Sequence, residues 1–209
     1  MTVSAQKALT IGWLLVFGLV FVWSATGPKD YYTWVLEVSP AVIGLIILIL
    51  TYKPFRLTSL VYLLILVHCV VLMVGGHYTY AEVPLFAPEF VGGERNNFDK
   101  LGHFLQGFVP AMIAWGILIR FSVVRSRRWM ELFVISVCLA FSAFYELIEW
   151  WVALLSDQAA EAFLGTKGYE WDTQSDMGWA LLGAMAALVL LSKYHDRQLA
   201  QLSSRDGDI

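Results

Sequence analysis

Three short stretches carry the side chains whose types and spacing suit chemistry. In Asn97-Phe98-Asp99-Lys100-Leu101-Gly102-His103-Phe104, a helix from about Asp99 sets Asp99, His103 and Gln106 at i, i+4 and i+7, one above another on a single face. Glu146 and Glu149 follow at i, i+3, and Asp172 and Asp176 at i, i+4, so each pair can share a helix face. Like charges on one face repel unless something positive stands between them, and Lys100, His103 and a bound cation are the candidates. An imidazole among carboxylates is a donor set for general acid/base chemistry and equally for a divalent metal, with His103, Glu149 and Asp176 as the expected ligands. The competing reading is a plain network of salt bridges and caps, with Asp172 or Ser175 as an N-cap and Lys100 and Arg95 pairing with glutamates.

The elements that must position these groups are membrane spans. With 58% hydrophobic and 15% charged residues and a mean hydropathy of +0.64, the chain is neither disordered nor an ordinary water-soluble domain. Apolar runs fall at about 9–25, 34–50, 57–75, 101–121, 130–155 and 177–192, each near the roughly 20 residues that cross a bilayer core. We read the first as a retained helix rather than a signal peptide, because Pro28 directly follows the only small-residue site, Ala25-Thr26-Gly27. The expected architecture is a single all-α membrane domain, a bundle of six transmembrane helices.

Basic residues orient the bundle. Lys7, Lys53, Arg56, Arg120, Arg125, Arg127, Arg128, Lys193, Arg197 and Arg205 fall on one side of a six-span chain, leaving only Lys29, Arg95, Lys100 and Lys167 on the other. Both termini are therefore expected in the cytoplasm. The two long loops, 76–100 and 156–176, are then external and rich in acid: Glu82, Glu89, Glu94, Asp157, Glu161 and Glu170. This topology brings Asp99, His103, Glu146, Glu149, Asp172 and Asp176 from three helix ends to one level, with Glu37, His68 and His77 pointing the same way. Ionisable groups at membrane depth cost roughly 2.5–3.5 kcal/mol each, so such a set faces other helices or a wet cavity.

The opposite side offers no comparable set. Glu131, Asp196, Asp206 and Asp208 read as scattered among arginines, and His195 as solvated in a polar tail. Pro110 removes the hydrogen bond to the Gln106 carbonyl and so leaves an acceptor on the polar stripe; the competing and favoured reading is that it serves only to kink the helix. Gly107, Gly116, Gly178, Ala180, Gly183 and Ala184 are small-residue surfaces for close helix packing. Cys69 and Cys138 sit at different depths and are expected as free thiols. There is no phosphate loop, zinc-protease helix, nucleophile elbow or basic nucleic-acid surface.

Four blocks, Gly75-Gly76-His77-Tyr78-Thr79-Tyr80-Ala81-Glu82-Val83-Pro84, Asn97 to Phe104, Tyr145-Glu146-Leu147-Ile148-Glu149-Trp150 and Asp172-Thr173-Gln174-Ser175-Asp176-Met177, resemble signatures of the YjdF-type bacterial inner-membrane proteins. The resemblance covers essentially the whole chain and implies a multi-pass protein of the bacterial inner membrane. More distantly, the Asp-Lys-x-x-His-Phe block, the helix-five glutamate and the Asp-Met with downstream glycines are similar to VanZ-like proteins, which are linked to glycopeptide-antibiotic resistance. The arginine that family places before the last aspartate is absent here, so the likeness carries architecture and not activity. Lys100, Gln106, His77, Tyr78 and Tyr80 are the expected supporting residues. The favoured reading is an outer-face site, acidic and His-bearing, that binds or acts on a lipid-linked or envelope substrate, with a divalent metal as the candidate cofactor. A small ion-coupled transporter and a non-catalytic envelope protein with a structural polar cluster are the alternatives. The bilayer is the expected partner and nucleic acid is not; the sequence leaves oligomeric state open.

Overall fold

The computed structural model describes residues 3–87, 96–155 and 170–206. Six helices are long and apolar enough to cross a membrane, and no strand occurs among the described residues. They are α1 (Val3–Ala25), α2 (Tyr31–Thr51), α3 (Ser59–His77), α4 (Phe98–Arg120), α5 (Arg127–Leu155) and α6 (Asp172–Asp206). Local chemistry starts two of them. The Asp30 carboxylate accepts the Thr33 N–H at 2.6 Å ahead of α2, and the Thr58 hydroxyl accepts the Val61 N–H ahead of α3, each satisfying a donor that a helix start leaves unpaired.

α4 is the axis of the bundle. Half of its span is buried against about a tenth of that of α1, and it packs on α3, α5 and above all α6. The α4–α6 approach rests on glycine. A Cβ on Gly107 would overlap the Ala180 backbone, and one on Gly183 would overlap the Phe104 carbonyl, so the two backbones lie in direct contact. Below that contact Ala111, Met112, Trp115, Val134, Cys138, Ala184 and Leu188 form a buried hydrophobic core. α1 and α2 lean on α3 through Phe17, Val38, Ala41, Cys69 and Met73. Outward positions such as Leu19, Leu50, Val189 and Leu190 are exposed apolar side chains, as a lipid-facing surface requires. Both cysteines are free and buried.

The structure revises the reading of the second end of the bundle. α6 continues as a helix through the polar stretch to Asp206, and His195 is not solvated but 1% exposed, set against Gly116 of α4. Asp196 is likewise not one of a scatter. It accepts the Trp115 indole N–H at 2.7 Å and stands 3.5 Å from Arg127, which also donates to Ser192 at 2.9 Å and lies over the Trp115 ring. The Gln198 side chain accepts the Leu60 N–H at 3.0 Å. Apolar periodicity fades beyond Ser192, but these polar contacts to α3, α4 and α5 hold the helix in place.

Candidate functional site

The ends of α4 and α6 that carry Asp99 and Asp172 surround a cavity of about 100 Å³. α4 lines it with Asp99, Gly102, His103 and Gln106; α5 with Phe141, Tyr145 and Glu149; α6 with Asp172 and Asp176. α2 adds Glu37 and Pro40, α3 adds His68 and Leu72, and the turn after α3 adds Tyr80. The cavity lies within the spans rather than above them. Gln106 is seven residues into α4 from Asp99 and Glu149 six before the end of α5, which at 1.5 Å per residue is a depth of about 10 Å.

His103 is the hub. Its Nδ1 lies 3.0 Å from Gln106 Oε1, its Nε2 3.5 Å from Asp176 Oδ2 and its Nδ1 4.0 Å from Glu146 Oε1. One ligand atom from each of His103, Glu146 and Asp176 falls within 4.8 Å of the others, and the same holds for Asp99, Asp172 and Asp176. Asp176 is common to both groups. The acid that joins His103 and Asp176 is thus Glu146, where the sequence pointed to Glu149; one turn of α5 separates them, and Glu149 faces the cavity instead. Glu146 Oε1 is buried and has no hydrogen-bond partner.

Tyr80 enters the site through an unusual turn. Thr79 and Tyr80 both adopt left-handed backbone angles, φ 55° and 59°, at a cost of roughly 1–3 kcal/mol each. The turn is held by the Tyr80 N–H donating to the Gly75 carbonyl at 2.7 Å. Its ring then lies on Gly75 and Gly102, where a Cβ on Gly75 would overlap it, and against Phe98. Burial, reinforced by Glu37, Tyr145, Glu149 and Asp99, pushes the Tyr80 phenol well above its ordinary pKa. It therefore remains a hydrogen-bond donor at neutral pH.

Residues 9–197 match the family described as a predicted membrane protein (DUF2238). The chain belongs to that family. The DUF2238 chain is also 48% identical to the inner membrane protein YjdF of Escherichia coli (strain K12) over 195 residues, 92% of this chain and 93% of the relative. No solved structure matches. This DUF2238 member is accordingly a multi-pass inner-membrane protein.

Not every expected supporting residue of the DUF2238 chain reaches the cavity. His77 stacks on Trp23, with its Nδ1 3.0 Å from the Ser24 carbonyl, and Tyr78 packs edge-on to His77, so both tie α1 to α3. Lys100 is half-buried and its backbone N–H donates to Asp99 Oδ1 at 2.9 Å; its side chain is not part of the cavity lining. Arg95, Glu89, Glu94, Asp157, Glu161, Lys167 and Asp208 lie outside the described residues. Glu37, His68 and Tyr145 belong in the site more firmly than sequence reasoning placed them. The signal for Glu37 and His68 was present as single ionisable residues inside otherwise apolar spans.

Proposed function

We propose that this protein binds, at the outer face of the inner membrane, the polar headgroup of a lipid-linked or other envelope substrate, and holds it in the cavity between α2, α3, α4, α5 and α6. The observation that carries this reading is where the cavity sits. It is at membrane depth, between α2 and α5, and those two helices pack on other partners: α2 on α3, α5 on α4 and α6. Phe141 of α5 lines the cavity while 54% exposed on the outer surface of the bundle. A headgroup can therefore arrive sideways from the bilayer with its acyl or prenyl chain still in lipid. The acids, Gln106 and Tyr80 suit hydroxyl and amine groups, and His103 beside Asp176 and Glu146 supplies an acid/base pair.

The outer-face assignment rests on charge. Arg56, Arg120 and Arg127 cluster at the opposite end, where Arg120 donates to the Arg56 carbonyl at 2.5 Å, and basic residues favour the cytoplasmic side. Between the two ends Val109, Met112, Val134, Cys138 and Ala184 are buried and apolar. That layer favours a one-sided site over an ion-coupled transport path, which needs polar groups at the midplane.

Lipids that copurify with the protein in mild detergent, identified by mass spectrometry, provide the test. A defined lipid-linked species should be enriched with the parent and lost from Glu149→Gln and Tyr80→Phe. Equal recovery with all three proteins would sink the reading.

A further inference from the structure

We propose that His103, Glu146 and Asp176 bind one divalent transition-metal ion, of the Mn²⁺ or Zn²⁺ class, in the cavity wall where α4, α5 and α6 meet. The inference deepens the headgroup reading and rests on the same cavity being a working site. Two observations carry it. The ligand atoms lie within 4.8 Å of one another, and metal–ligand distances of about 2.0–2.2 Å place two donors at most about 4.4 Å apart, so side-chain shifts of a few tenths of an ångström close the shell. Glu146 has a side chain only 8% exposed and its Oε1 lies 4.0 Å from the His103 ring; Thr173 hydrogen-bonds the carboxylate, but Oε1 has no hydrogen-bond partner, and a buried carboxylate oxygen with nothing to bind is costly.

Polar neighbours already hold the His103 ring, with Nδ1 3.0 Å from Gln106 Oε1 and Nε2 3.5 Å from Asp176 Oδ2. A divalent ion between His103, Glu146 and Asp176 would neutralise two carboxylates that lie close together, with Asp99 and Asp172 alongside. One ring nitrogen on the ion with a polar neighbour on the other is the usual arrangement of a metal-binding imidazole. One nitrogen with two carboxylate oxygens suits Mn²⁺ or Zn²⁺ better than Ca²⁺, which takes oxygen alone, or Cu⁺, which takes sulfur. Three protein ligands leave positions open toward the cavity for oxygens of the headgroup.

The full chain, carried on an affinity tag without histidines, is extracted in detergent, stripped with EDTA and titrated with Mn²⁺ and with Zn²⁺ by calorimetry. We expect one saturable site per chain for at least one of the ions, and a raised melting temperature when it is filled. Glu146→Gln and His103→Gln should weaken binding by at least about tenfold, the scale at which even outer-sphere changes act, while Glu82→Gln, on the exposed Lys29 pair, binds as the parent. Mn²⁺ bound to the parent should show magnetic coupling to a single histidine nitrogen, absent in His103→Gln, which decides the matter if Glu146→Gln does not fold. No saturable binding to the stripped parent, or parent-like affinity in the two ligand variants, overturns the proposal. Enriched lipid without metal removes this inference alone, and metal without enriched lipid removes the headgroup reading alone.

Discussion

Tyr80 reaches the cavity because Gly75 and Gly102 leave room for its ring and because Thr79 and Tyr80 accept left-handed angles that side chains avoid. Gly75→Ala should push the ring out of the cavity and lower the melting temperature in detergent, whereas Tyr80→Phe should keep the fold and lose the phenolic donor. Comparing the two by melting and by copurified lipid separates the ring's packing from its hydroxyl. A second residue-level expectation concerns Asp30. The Thr33 N–H that its carboxylate accepts holds it below the usual carboxylate range, so its capping contribution is present at neutral pH and lost as the pH falls through that lowered value. Asp30→Ala should cost about 0.5–2 kcal/mol at pH 7 and less in acid, read from melts at the two pH values.

At the scale of elements, the site depends on how closely α4 and α6 approach, since His103 comes from one and Asp176 from the other. Gly107→Ala and Gly183→Ala put a methyl group into backbone atoms of the facing helix, and overpacking of this kind costs about 1–3 kcal/mol or more. Both should melt below the parent, while Gly44→Ala, which meets open space, should melt like it. The other end of the same helix pair is fastened by Trp115, Asp196 and Arg127. Trp115→Phe removes the donor at 2.7 Å from Asp196 and should cost about 1–3 kcal/mol, without affecting metal or lipid, because the apolar layer of Met112, Cys138 and Ala184 stands between.

At the scale of the whole molecule, orientation in the membrane is the expectation on which the outer-face reading depends. A reporter active only in the cytoplasm should work when fused after residue 206, and one active only outside when inserted within 88–95. The reverse pattern would place the acidic cavity in the cytoplasm and remove an envelope substrate from consideration. The same architecture makes the two thiols a gauge of folding: Cys69 and Cys138 are buried and should resist a maleimide until the protein melts.

Class and helix number were legible in the chain because long apolar runs have one stable form in lipid, where each backbone group must bond within its own helix. The polar stripe of Asp99, His103 and Gln106 was legible for the same reason, since helical spacing alone puts the three on one face. Which acid meets His103 was not legible. Glu146 and Glu149 share a face of α5, and only the rotation of α5 against α4 and α6 turns Glu146 to the imidazole and Glu149 to the cavity. The burial of His195 and the gathering of Asp196, Trp115 and Arg127 were equally hidden, because residues far apart in sequence come together there through helix packing, which no local period records. Hydrophobic spacing determined which segments are helices; the glycine-mediated approach of α4 and α6 decided which side chains meet.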